Sequence, residues 1–189
     1  MQLLLCYYNF MIQGKQIYLR HLNTHDVNRL FEYELKNREF FTPTSFTRND
    51  AYYNLDNIRK NIEHYQKEIN EKSSYRFGIF LNSNHQFIGM IALNDILWSL
   101  KTSYVGYSLD HKFTHQGYMF EALSLIIDYS FNDLKLHRLE AGVMPSNHAS
   151  YKVLERCGFV REGLLRKNVH INGHWEDHYI YGLLNEKDI

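Results

Sequence analysis

Asp110–Leu123, DHKFTHQGYMFEAL, is the stretch on which the fold turns. A β-type run, Ser103–Leu109 (SYVGYSL), leads into it. A helix leaves it with an apolar stripe of Leu123, Ile126, Ile127 and Phe131. Gly117 stands where strand gives way to helix. Such a junction lets free backbone N–H groups and a helix N-terminus converge on an anion. We read it as the seat for the pyrophosphate of a coenzyme. One glycine in a βα turn also has a purely geometric reading, because the turn itself needs it. The remainder of the chain has to decide between the two.

The 189 residues suffice for one well-buried domain and are few for two. Lys+Arg and Asp+Glu both number 21, so the formal net charge of zero argues against a general electrostatic grip on nucleic acid. Cys6 and Cys157 have no metal-type spacing and suggest a reducing compartment. The apolar N-terminus, MQLLLCYYNFM, lacks a basic flank and is too short to span a bilayer. A cytoplasmic location without membrane or direct nucleic-acid contact is expected. Residues 1–10 read as an extension or alternative start, and 11–189 as a single domain.

Working outward, MIQGKQIYLRHL begins a strand with Ile17 and Leu19 on one face and Tyr18 and Arg20 on the other. Thr24 is the expected cap of a helix whose inner stripe is Val27, Leu30, Phe31, Glu34 and Leu35. Pro43 interrupts it within Phe40–Phe46, where Phe40 and Phe41 either close the core, the favoured account, or wall a substrate pocket. Thr47 and Asp50 resemble a capping arrangement for a second helix, roughly Asn49 to Lys72. Tyr75–Leu81 and Phe87–Leu93 form antiparallel strands around a polar loop. His137–Met144 is a further strand, and a short helix follows from Pro145–Asn147 to Gly158. Asn172-Gly173 then turns a closing hairpin. The fold class is α/β (α+β), with a mixed, mostly antiparallel central sheet and about four helices.

Three separated pieces now agree: HQGYMFEAL, then NHASYKVLERCGFVREG, then NGHWEDHYIYGLL. Together they resemble the GNAT superfamily of acyl-CoA N-acyltransferases, and within it the RimJ/RimL type that acetylates protein N-termini, notably ribosomal ones. The likeness covers about Ile12 to Leu184 in element order and is most specific from Ser103 onward. It implies a splayed strand pair and acetyl-CoA as co-substrate. The family's pyrophosphate loop, Q/R-x-x-G-x-G/A, falls on Thr114, Gly117 and Met119, so only the central glycine is kept. His115 stands where many relatives have glycine, and Phe120 where they often have threonine. The loop works through main-chain N–H groups, so His115, Gln116, Gly117, Tyr118, Met119 and Phe120 are the expected phosphate contacts. Leu109 ends the strand beside the pantetheine arm. Asn147 is the further coenzyme contact, and its reading as a helix cap is compatible with that role.

For chemistry, the resemblance puts an acid at Ser150, which as a helix-turn hydroxyl has an equally good structural reading. The family's base on the preceding strand falls at Tyr104, where a water relay is expected, and its alternative base before the hairpin turn falls at Val169. The family's tyrosine acid falls at Glu155. His115 and His148 are other relay candidates. His170, His174 and His178 are spaced as on a helix, but the hairpin disperses them, so no metal is expected. Asp177 shares a strand face with Trp175, Tyr179 and Tyr181, where it can orient a substrate amine. The expected function is acetyl transfer from acetyl-CoA to a primary amine, first a protein N-terminal α-amine of the ribosomal-protein-alanine type. The alternatives are a small amine (polyamine, amino acid or aminoglycoside) or a non-catalytic acyl-CoA-binding protein. The chain is expected as a monomer or homodimer.

Overall fold

A computed structural model describes residues 10–45 and 48–188. Its centre is an eight-stranded sheet in the order β1-β2-β3-β4-β5-β6-β8-β7. The strands are β1 (Met11–Gln13), β2 (Ile17–Arg20), β3 (Tyr75–Leu81), β4 (Phe87–Leu97), β5 (Thr102–Leu109), β6 (Arg138–Val143), β7 (Val160–Ile171) and β8 (His174–Leu184). Every neighbouring pair is antiparallel except β5–β6. The helices are α1 (Val27–Lys36), the short α2 (Arg38–Phe41), α3 (Leu55–Asn70), α4 (Tyr118–Asp128) and α5 (His148–Arg156).

Side chains alternate across a strand, so each face of the sheet builds its own core. On one face α4 and α5 cover Ile79, Ile91, Val105, Leu139, Ala141 and Val143, with Leu123 and Ile126 fully buried. On the other, α1 and α3 bring Leu30, Tyr33, Ile58 and Ile62 against Phe80 and Phe87. We call these the α4/α5 face and the α1/α3 face. The mixed, mostly antiparallel α+β architecture expected from the sequence is the one observed.

Several boundaries move. The first strand breaks at Gly14 into the β1–β2 hairpin, with Gly14 N–H donating to Ile17 C=O at 2.9 Å. The first cap is Asn23, not Thr24. Asn23 accepts from His25 N–H at 2.9 Å, and Asp26 accepts from Asn23 N–H at 3.0 Å, completing a reciprocal box. Leu35 is 48% exposed, whereas Tyr33 at 4% is inside, so the buried stripe is Val27, Leu30, Tyr33 and Glu34. The second helix starts at Leu55 with Asn54 as its cap, after a separate turn over Asp50–Tyr52. The capping role given to Thr47 and the nature of residues 1–9 lie outside the described residues. Phe10 is described, and its ring lies 5.3 Å from that of Tyr129. No helix among the described residues is long and apolar enough to cross a membrane.

Candidate active site

The parallel pair β5–β6 is joined only at Thr102↔Arg138, Ser103↔Leu139 and Tyr104↔Glu140. Beyond this rung the strands diverge. β5 runs on to Leu109 paired only with β4, and Ala141–Val143 pair only with β8. The wedge between them leaves backbone N–H and C=O groups without a ladder partner, and such groups need a partner of their own. An amide-rich chain laid into the wedge would supply one.

The open end of the wedge leads to the strand-to-helix turn. Gly117 is the N-cap of α4 at φ 86°, and no side chain caps the helix. The first N–H groups of a helix lack intrahelical partners, so those of Tyr118, Met119 and Phe120 face outward. A Cβ on Gly117 would meet nothing within 4 Å, so the space above the turn is open. Loop side chains brace the turn: Gln116 Nε2 donates to Lys112 C=O at 2.9 Å and Thr114 Oγ1 to His111 C=O at 2.8 Å. Met119 is buried in the core, so only its main chain can serve a ligand. Phe120 lies under the Arg156 guanidinium, 4.0 Å from ring centroid to Cζ, which places a cation beside the helix N-terminus.

His115 takes φ 62°, the left-handed conformation that glycine adopts freely. Histidine tolerates this region better than most residues, which is how the loop keeps its turn without glycine there. Its side chain is exposed. His115→Gly is therefore expected to stabilise the fold by about 0.5–1 kcal/mol, relieved strain outweighing the added chain entropy. The acetyl-CoA-induced shift in Tm should be retained. Thermal unfolding with and without acetyl-CoA checks both, and a lower midpoint would contradict the strain argument.

On the α4/α5 face, Asn147 caps α5 by accepting from Ser150 N–H at 3.2 Å, and its Nδ2 has no protein partner among the described residues. Ser150 Oγ donates to Tyr107 Oη at 3.0 Å, and Tyr107 Oη donates to Ser150 C=O at 3.0 Å. The Ser150 hydroxyl is thus engaged with β5 rather than its own helix. Burial pushes the Tyr107 hydroxyl well above the ordinary tyrosine range, so it stays protonated. Tyr107 was not singled out in the sequence, where it reads as an ordinary strand former. Glu155 accepts from Tyr181 Oη at 2.9 Å; burial, then this bond, push the tyrosine up to about 12.

The α1/α3 face is open between β5 and β8. Gly106 and Gly142 carry no side chain on this face, and Tyr104 and Glu140 stand side by side at the closed end of the wedge. Tyr104 is 46% exposed, and its hydrogen bond to Glu140 raises its pKa. Arg138 Nε donates to Glu140 Oε1 at 2.7 Å and its Nη1 to Glu162 at 2.9 Å. His178 on β8 lies over Gly142. Further along β5, Tyr33 Oη donates to Ser108 Oγ at 2.8 Å, and Phe41 lies 5.5 Å from the Tyr33 ring. Phe41 also lines a cleft of about 210 Å³ with Arg38, Thr42, Ser45, Arg48, Tyr53 and Asn172. Asn172 Nδ2 donates to Thr42 C=O at 2.6 Å, tying the hairpin turn to the α2 loop. Phe41 thus serves core and cleft together, while Phe40 stays 51% exposed beside His111.

The predicted residues fall into three places. The end of β5 and the turn carry Leu109, His115, Gln116, Gly117, Tyr118, Met119 and Phe120, while Asn147 stands with Ser150 in the first turn of α5. Ser150 lies on one sheet face and Tyr104 on the other. His148 lies tilted against the Tyr151 ring at 5.4 Å, and Asp177 Oδ1 accepts from Lys167 N–H at 2.8 Å within its own hairpin.

A family model described as an acetyltransferase (GNAT) domain matches residues 16–160. The chain is 45% identical over 179 residues to the probable N-acetyltransferase YjcK of Bacillus subtilis (strain 168), covering 94% of this chain and 99% of that one. It is 29% identical over 169 residues to the [ribosomal protein uS5]-alanine N-acetyltransferase of Escherichia coli (strain K12), covering 89% and 87%. Among solved structures, the ribosomal-protein-S5-alanine acetyltransferase of Vibrio fischeri superposes with a TM-score of 0.88 at 27% identity, covering 94% of this chain and 98% of that one.

Proposed function

Because the chain belongs to the GNAT acetyltransferases and is thereby an acetyl-CoA-dependent N-acetyltransferase, we propose that its acceptor is a protein N-terminal α-amine, a ribosomal protein first. The observation that carries this is the exposure of the α1/α3 side of β5 and β6 at the wedge, where Tyr104 is 46% exposed and Gly142 is exposed, so that the end of a chain can reach the wedge from that face. Similarity to the uS5-alanine enzymes supports the same acceptor.

In this reading, the main-chain N–H groups of Tyr118, Met119 and Phe120 hold the coenzyme's pyrophosphate, with Gly117 leaving room for it and Arg156 adding charge. The free edges of β5 and β6 hold the amide-rich arm, Leu109 flanks it and Asn147 Nδ2 reaches it. Substrates then approach from opposite sides of the sheet, the amine from the α1/α3 face and the thiol end beside Tyr107–Ser150. A free α-amine has a pKa near ~8, so removing its proton at pH 7 costs only about 1–2 kcal/mol. The departing thiolate needs a proton donor, and Ser150 backed by the neutral Tyr107 hydroxyl is placed to be one.

Ser150→Ala is expected to lower kcat by about 10- to 100-fold while leaving acetyl-CoA affinity nearly unchanged. Steady-state kinetics with binding calorimetry would check this, and lost affinity would reassign Ser150 to binding. The acceptor is tested by thiol release from acetyl-CoA with alanine-, serine- and methionine-initiated peptides against polyamines, amino acids and aminoglycosides. Turnover confined to peptides supports the proposal. Turnover confined to small amines overturns it, and tight acetyl-CoA binding without any turnover would make the chain a binding protein.

A further inference from the structure

Amine acetylation begins with a proton leaving an ammonium, yet the two positions expected to carry a carboxylate base hold Tyr104 and Val169. We propose that His178 is the catalytic base of this enzyme, taking that proton from the acceptor amine on the α1/α3 face of the wedge.

The placement follows from the β6–β8 register. Gly142 pairs with Ile180 and Val143 with Tyr179, so His178 stands just past the last rung, where β6 has already left β5. Alternation puts it on the same face as Ile180 and Gly182. Its ring lies back over Gly142: a Cβ built there would come 3.0 Å from His178 Nδ1 and 3.7 Å from Cε1. Glycine at 142 is thus what lets an imidazole lie against the open part of the wedge. Neither ring nitrogen has a protein hydrogen-bond partner among the described residues, leaving both for a ligand or water. Burial lowers its pKa below 6.5, so at neutral pH it is in the basic form.

Three of the other ten histidines are engaged elsewhere. His21 Nδ1 is bound to Arg76 C=O at 2.8 Å, His111 Nδ1 to Asn37 Oδ1 at 2.9 Å, and His170 lies 5.2 Å from the Trp175 ring. Charged and titratable groups around His178 are Glu140, Arg138, Glu162 and Tyr104 toward the closed end of the wedge. Glu176 follows along β8, and Arg166 and Lys167 come from β7 beyond Leu165, its cross-strand partner. Among the described residues none of them forms an ion pair with it.

The step balances without a further reagent. A neutral His178 nitrogen takes one proton from R–NH₃⁺ and becomes imidazolium. The freed lone pair forms the C–N bond at the thioester carbonyl, and the C–S bond breaks to release CoA thiolate. The second nitrogen proton passes to solvent as the amide forms, and the thiolate takes its proton from Ser150 Oγ, which regains one from solvent, so one proton is released overall. His178 returns its proton to solvent.

The test is a pH–rate profile of wild type and His178→Gln, using whichever amine of the acceptor panel turns over fastest. At pH 7 kcat/KM should fall on the order of 100-fold. The deficit should close above about pH 9.5, where the amine, pKa ~8, has already lost its proton to water. An unchanged acetyl-CoA-induced Tm shift shows that the variant is folded, and added imidazole should restore part of the activity of His178→Ala. A deficit equal at every pH would show a packing role and overturn the proposal, as would activity within about twofold of wild type at pH 7. An independent measurement needs no acceptor. The His178 Cε1 proton, assigned by its absence in His178→Gln, should titrate with a midpoint below 6.5, and a midpoint above 7 would also overturn the proposal.

Discussion

Gly117→Val is expected to abolish the rise in Tm that acetyl-CoA gives the wild-type chain. A ligand held only by the native state stabilises it by about 2.7 kcal/mol at 100-fold excess over its Kd, so the wild-type shift should amount to several degrees. The residue sits at φ 86°, which a β-branched side chain adopts only under strain. Two consequences separate here. Because a Cβ at 117 meets no protein atom within 4 Å, the fold loses only backbone strain, roughly 1–2 kcal/mol and a few degrees in Tm. The ligand loses more, since the isopropyl group enters the space above the Tyr118, Met119 and Phe120 N–H groups. Gly173→Val is the control. Its φ is 80° and its surroundings are equally open, but it lies in the β7–β8 turn, so it should lower Tm while keeping the acetyl-CoA shift. Retention of the shift in Gly117→Val would show that the coenzyme seat lies elsewhere.

That turn was legible in the sequence because its determinants are local. A β-type run, a lone glycine and an apolar helical stripe are contiguous, and the structure puts Gly117 at the helix N-cap. The same holds for Asn172-Gly173, where φ values of 50° and 80° make the hairpin turn that this dipeptide favours. The wedge was expected only through family resemblance. Period-two alternation says which face a residue takes but not which strand stands beside it, so the end of β5–β6 pairing after Tyr104↔Glu140 has no local signature.

Tyr107 and His178 were missed for the same reason. Tyr107 meets the Ser150 hydroxyl only because α5 delivers it, and His178 lies over Gly142 only because β8 pairs with β6. The hairpin at Asn172-Gly173 disperses His170, His174 and His178, but a hairpin reading alone does not say which of the three rings lies against the glycine of a neighbouring strand. The cap at Asn23 went to Thr24 because adjacent polar residues compete for that role, and the winner is set by the reciprocal bond from Asp26.

Asp26→Ala should destabilise the chain by about 3–5 kcal/mol, the cost of leaving a partly buried guanidinium without its partner. Asp26 is 1% exposed and accepts from both terminal nitrogens of Arg20 at 2.7 Å, from Arg29 at 3.0 Å and from Asn23 N–H at 3.0 Å. Arg20 lies over the Phe80 ring at 4.1 Å, so it cannot simply swing into water. Tm should fall on the order of 10 °C. Replacing both partners by apolar residues, Arg20→Met with Asp26→Leu, should cost less than the single change, because the only charge left without its partner is then the exposed Arg29. A double variant as unstable as Asp26→Ala would refute that reasoning. The pH dependence has a definite sign. Burial alone would raise the Asp26 pKa, but bonds from Arg20 and Asn23, with the charge of Arg20, outweigh it and hold the pKa below 3.8. A carboxylate depressed in the folded state stabilises fully above its unfolded pKa and loses that contribution as pH falls through the folded one. Wild-type stability should therefore drop below about pH 4, and Asp26→Asn should flatten that acid limb. The pair joins the end of β2 to the start of α1, and α1 carries Tyr33 to Ser108 on β5. Loosening it should therefore raise KM for the amine before it changes acetyl-CoA affinity, an order that kinetics and calorimetry on Asp26→Asn would reveal.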